Sequence, residues 1–141
     1  MDARTAAMAT AVLAAFDVTS RTTEAVTPAL DELGLTMNTA YALWMLHPEA
    51  GPMAMGELAA RLHCKPPNAT FLCGQLEQRG LVQRLPDSSD RRLRVVSLTQ
   101  RGKGVREAMI DTVIAHGPLS TLDQDELDVV GRLLAKALRP S

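Results

Sequence analysis

A chain of 141 residues that is 46% hydrophobic is long enough for one domain with appended helices, and has the apolar content to fold. Aromatic residues make up only 3%, so Leu, Val, Ala and Met must fill the core, and the Ala and Leu content points to a mainly helical chain. A start with early acids and no continuous apolar core argues against a secretory leader, and no run approaches the roughly 20 apolar residues of a membrane span, so a cytoplasmic protein with no membrane association is expected.

In chain order, residues 3–28 are mostly helix formers. Ala7, Met8, Ala11, Val12, Ala15 and Phe16 recur at three- and four-residue steps and make one apolar face, which needs the rest of the chain or a second copy to cover it. Pro28 and Gly34 are expected to interrupt this helix. Thr36 is a cap for a helix reaching about Leu46, with Tyr41, Leu43 and Leu46 as core candidates. The stretch His47–Pro52 reads as a loop from its Pro and Gly content.

Gly56–Leu62, GELAARL, predicts a short helix with Leu58, Ala59 and Leu62 inward. After a turn at His63–Lys65, Pro66 suits the first position of a helix over 66–79, and Gly80 suits its C-terminal cap. Ala69, Leu72, Cys73 and Leu76 mark its buried face. Lys65, Pro67, Asn68, Thr70, Phe71 and Gln75 fall on the other face, where Asn, Thr and Gln suit base edges and the helix start suits a phosphate. Phe71 has two readings, contact with thymine methyl groups or packing inward.

Two β-prone runs, LVQRL and LRVVSLT, then flank the polar segment PDSSDRR, which predicts an antiparallel hairpin with a long tip at 86–94. The adjacent guanidiniums of Arg91 and Arg92, with Arg94 beyond, either pair with Asp87 and Asp90 in solvent or meet an external anion such as a DNA minor groove. From Arg61 to Lys103 nine basic residues face three acidic ones, a basic middle between acidic flanks. Thr99 caps a helix over about 100–116, which Gly117 and Pro118 stop. Asp123 and Glu126 open a last helix with a stripe of Leu127, Val130, Leu134, Ala137 and Leu138.

Helix, helix, hairpin is the order of a winged helix-turn-helix. The fold class expected is therefore mainly α with a small β-hairpin. The expected divisions are an N-terminal dimerisation region at 1–34, the DNA-binding domain at 35–104 and C-terminal dimerisation helices at 105–141. LTMNTAYALWML, GELAARL, LEQRGLVQR and DSSDRRLRVVSLTQRGKG, in this order, resemble the MarR family of bacterial transcriptional regulators, with the wing segment the most specific piece.

The resemblance implies a homodimer built from the terminal helices, with two recognition helices on a pseudo-palindromic operator in double-stranded DNA. It implies that Arg92 reaches the minor groove, with Arg91 and Arg94 in support. The expected function is a transcriptional repressor, with Asn68, Thr70 and Gln75 reading bases and Lys65, Arg79, Arg84 and Arg94 contacting phosphates. The chain departs from the family pattern at Lys65, where a Ser or Thr cap is usual, at Phe71, where an Arg is frequent, and at Gly74, where an Asp is frequent.

A small anionic aromatic effector is also implied, with Phe16, Tyr41, Trp44 and His47 as its candidate contacts. Their bland alternative, for the three aromatics, is core packing. Cys64, beside His63 and Lys65, reads either as a structural thiol or as a redox-sensitive one. No catalytic constellation appears, no cysteine pair has metal-ligand spacing, and neither a cofactor nor a metal is expected. A winged scaffold for protein partners, or for non-specific DNA binding, is the remaining alternative.

Overall fold

The computed structural model describes residues 1–140. In order it contains α1 (Ala3–Leu33), α2 (Met37–Met45), β1 (Met53–Ala54), α3 (Met55–Arg61), α4 (Pro66–Gln78), β2 (Val82–Pro86), β3 (Arg94–Leu98), α5 (Gln100–His116), a 3-10 turn (Pro118–Thr121) and α6 (Gln124–Ala137). The chain divides into two compact units, one of Thr27–Thr112 and one of Met1–Val26 with the segment from Val113 onward.

The Thr27–Thr112 unit holds the winged helix-turn-helix. Its helices begin and end on local signals. Thr36 and Thr39 form a reciprocal capping box at the start of α2, in which the buried Thr39 hydroxyl finds its partners. Gly80 closes α4 at φ 73°, and the Leu81 N–H reaches back to the Leu76 carbonyl at 3.0 Å, the left-handed cap expected of a glycine there. The hairpin pairs Val82 with Leu98 and Pro86 with Arg94, in antiparallel register.

β1 was not anticipated from the sequence. Two residues, Met53 and Ala54, pair with Val96 and Val95 and extend the hairpin to a three-stranded sheet in the order β1-β3-β2. A two-residue strand has no periodicity to read; only β3's free edge creates it. Leu43, Leu58, Ala69, Cys73, Leu76 and Val96 form the buried centre beneath the sheet and helices.

The turn from β3 into α5 depends on one glycine. The Thr99 hydroxyl accepts from the Gly102 N–H at 3.0 Å and donates to the Gly80 carbonyl, tying the start of α5 to the end of α4. A Cβ on Gly102 would overlap the Leu81 carbonyl oxygen, so only glycine permits this approach.

Three expectations need correction. Pro28 does not interrupt α1, which continues to Leu33 and ends at Gly34, φ 72°. Proline removes one hydrogen bond and crowds one turn, but in a 31-residue helix the cooperative turns on either side persist, and Leu30 just beyond is buried. Tyr41 is no core residue, being 47% exposed. Leu62 and Leu72 are half-buried.

In the other unit, the apolar stripes of the terminal helices lie open. Met8, Val12 and Phe16 of α1, Leu127 and Leu134 of α6 and Leu138 at its C-cap are all exposed. The α6 start is as expected, a capping box between Asp123 and Glu126. Among the described residues no helix is long and apolar enough to cross a membrane.

Candidate nucleic-acid interface

The sequence between α3 and α4 turns sharply because His63 adopts φ 52° and the Cys64 N–H caps the Ala59 carbonyl at 3.1 Å. Lys65 then stands at the N-cap of α4, with Pro66 at its first position, and contributes no side-chain cap. This start corrects one expectation. Pro66 and Pro67 have no N–H, and the Asn68 N–H already bonds the Lys65 carbonyl at 2.9 Å. The first turn therefore offers few backbone donors to a phosphate, and any anion contact there falls to the Lys65 ammonium.

Ala69, Cys73 and Leu76 anchor one face of α4 in the core. The opposite face displays Lys65, Pro67, Asn68, Thr70 and Phe71, with Gln75 half-buried. The Thr70 hydroxyl donates to the Pro66 carbonyl at 3.1 Å, which leaves its lone pairs and methyl outward. Of the two readings of Phe71, packing inward does not hold, since the ring is 66% exposed.

The basic residues differ in their engagement. Arg84 is bound to Glu77 by its backbone N–H (3.1 Å), Nε (3.3 Å) and Nη2 (2.9 Å). That pair holds the Glu77 carboxyl below its usual range, chiefly through the side-chain hydrogen bonds. Arg79 lies across Gly34, where an added Cβ would strike its guanidinium. Arg94 borders a depression of about 320 Å³ with Glu77 and Arg84.

At the tip, the Asp87 N–H bonds the Leu93 carbonyl at 2.9 Å, and Asp87 accepts from the Ser89 N–H and hydroxyl. Asp90 pairs with Arg92 at 3.2 Å, although the Arg92 side chain remains 91% exposed. Hydrogen bonds from Arg92 lower the Asp90 carboxyl. The solvent pairing weighed from the sequence thus applies to Arg92 with Asp90. Asp87 is spent on Ser89, and Arg91 and Arg94 make no ion pair among the described residues.

Of the four candidate effector contacts, the three in the Thr27–Thr112 unit, Tyr41, Trp44 and His47, share no described cavity. Tyr41 borders a cleft of about 500 Å³ shared with α4, and His47 borders a separate depression of about 50 Å³ beside Lys103. The Trp44 carbonyl accepts two hydrogen bonds from Arg106, at 3.0 and 3.2 Å, and its side chain is half-buried. Phe16 is 66% exposed on α1, in the other unit. Cys64 borders the Tyr41 cleft, while Cys73 is fully buried and burial pushes its thiol up to about 11. Among the described residues no group of three metal-ligating side chains occurs.

Sequence reasoning missed the Glu77–Arg84 strut and the cleft. Opposite charges on either side of the Gly80 cap are a weak signal for the first. The second has none, because it arises where α2 meets α4.

Residues 35–93 match the model of the MarR family. The transcriptional activatory protein BadR of Rhodopseudomonas palustris is 40% identical over 60 residues, which cover 43% of this chain. The chain spans about a third of BadR's length, 34%, in that match. The HTH-type transcriptional repressor MdtR of Bacillus subtilis is 28% identical over 109 residues, covering 76% of this chain and 70% of MdtR. Among solved structures, CouR from Rhodococcus jostii RHA1, bound to p-coumaroyl-CoA, superposes with a TM-score of 0.75 at 26% identity, covering 89% of each chain. CouR bound to a 23-mer DNA duplex gives 0.74 at 25% identity, covering 89% of this chain and 90% of that one.

Proposed function

We propose, from the match of residues 35–93 to the MarR family model, that the chain is a homodimeric, cytoplasmic transcriptional regulator of that family, a repressor, that binds duplex DNA at a pseudo-palindromic operator. In this reading α4 enters the major groove and the 86–94 tip reaches the minor groove. The observation that carries it is the outward face of α4, anchored from behind and presenting Lys65, Asn68 and Phe71, followed by a wing whose Arg91 and Arg94 form no ion pair among the described residues. Asn68, Thr70 and Gln75 read base edges; Lys65, Arg79 and Arg94 supply phosphate contacts; Arg92 enters the minor groove once Asp90 releases it.

Arg84 has a structural role beside the phosphate contact expected of it. With three hydrogen bonds to Glu77, it fixes the wing's first strand to the last turn of the recognition helix.

Dimerisation follows from the open apolar stripes of α1 and α6, which a second copy covers. The terminal segments 1–34 and 105–141 serve this purpose around the 35–104 DNA-binding region. CouR has been solved both with DNA and with p-coumaroyl-CoA, which supports release by a small aromatic effector that prefers the DNA-incompetent dimer. The protein acts by binding and carries out no reaction.

Fluorescence anisotropy on DNA from upstream of its own gene, against a scrambled duplex across a salt series, tests the proposal. Salt-sensitive binding with preference for the native fragment is expected. Equal binding to both duplexes would sink operator specificity, and no binding at low salt would sink the DNA reading.

A further inference from the structure

Phe71 stands 66% exposed on the outward face of α4, in a chain with only four aromatic residues. A large ring left in water is a cost that an apolar partner removes. Asn68 and Gln75 lie three residues before it and four after it on the same helix, so the ring stands between two side-chain amides. Neither amide makes a hydrogen bond among the described residues. The Thr70 hydroxyl donates to the Pro66 carbonyl and leaves its methyl outward.

What the face lacks is equally specific. Between Lys65 at the N-cap and Arg79 at the C-cap, α4 carries no basic residue. Arg79 itself is folded over Gly34. In a major groove, guanine presents two acceptors that long cationic side chains match, whereas side-chain amides match adenine. An apolar side chain finds one apolar group there, the C5-methyl of thymine. The cations lie to the sides of the ring, with Lys65 at the helix start and Arg91 and Arg94 in the wing. From there they hold phosphates, and uncharged groups are left to read the bases.

We infer that Phe71 is the specificity-determining residue of α4, and that the half-site under this helix is a run of A·T pairs with a thymine methyl against the ring and no guanine. This rests on α4 entering the major groove, and it adds to that reading the class of sequence the helix selects. Asn68 and Gln75 take adenines on either side of the methyl contact.

The test begins with a pool of duplexes carrying a random core of about two helical turns. The pool is bound to the intact protein and the retained molecules are sequenced. Selected half-sites should hold consecutive A·T pairs. In one selected duplex each half-site thymine is then replaced in turn by uracil, which removes the methyl and keeps the pairing. One position should lose roughly fourfold in affinity, the loss of one buried methyl contact. Phe71→Ala should bind the thymine and uracil duplexes alike at that position, and Phe71→Leu, still apolar, should keep the difference. Phe71→Arg should move the selection there toward guanine. The ring is exposed, so all three variants should melt close to the parent.

A guanine fixed under α4 in the parent's selected sites overturns the inference. So does a parent that binds thymine and uracil alike, or a uracil penalty that Phe71→Ala retains. Salt-sensitive retention of the pool with no sequence enriched overturns base reading by α4 and leaves DNA binding standing. No duplex retained at low salt overturns the DNA reading and this inference with it, the result expected of a ring reserved for a protein partner.

Discussion

The Glu77 carboxylate and the Arg84 guanidinium meet at 2.9 Å across the cap that separates the recognition helix from the wing. With the Arg84 N–H also donating to Glu77, the last turn of α4 and the first strand of the hairpin are held as one piece. In the proposed reading, a helix in one groove and a wing in its neighbour must keep a fixed spacing, and this pair holds the two elements together.

This strut should be sensitive to acid. The Glu77 carboxyl is held below its ordinary 4.5, so its stabilising contribution is complete above that value and fades as the pH falls through the folded-state value. Glu77→Gln should therefore melt lower than the parent near neutral pH, and the two melting curves should converge as the pH falls below the folded-state value. A gap that stays constant across the range would show that the pair contributes no pH-linked stability.

Gly102 and Gly104 are two residues apart in α5 and should respond oppositely to alanine. A Cβ at Gly102 collides with the Leu81 backbone, which cannot yield without moving the sheet. Gly102→Ala should cost about 2 kcal/mol or more. Gly104 has open space around its Cβ position, and Gly104→Ala should stabilise by about 0.5–1 kcal/mol through helix propensity. Urea titration of both variants checks the pair of signs.

Arg92→Ala should weaken DNA binding by roughly tenfold, about 1–2 kcal/mol, while the dimer remains intact by light scattering. The side chain is 91% exposed and its one ion pair among the described residues is with Asp90, so the fold loses little. Normal affinity in this variant would remove the wing from the DNA contact.

The two thiols should separate cleanly. Cys73 is fully buried, with its thiol raised to about 11, and should react only on unfolding; Cys64, at the cleft, should react in the native state. One fast-reacting thiol per chain is expected by mass spectrometry. Cys64→Ser should keep DNA binding and leave the protein as insensitive to peroxide as before. A peroxide response in the parent that the variant lacks would make Cys64 a sensor.

What the sequence determined by itself was everything governed by neighbours within a few residues. Thr36, Pro66, Gly80, Thr99 and Asp123 mark helix ends through hydrogen bonds and backbone preferences that act locally, and the Asp-Ser-Ser-Asp tip divides two β-prone runs. The order of those elements was enough to name a winged helix-turn-helix and its basic face. Tertiary structure decided what distant segments do on meeting. It made a strand of Met53 and Ala54 because β3 had an edge to fill, carried α1 through Pro28, turned Phe71 and Tyr41 outward, and took Arg84 from solvent to Glu77. Each of those outcomes depends on which surface lies opposite, and no local rule contains that information.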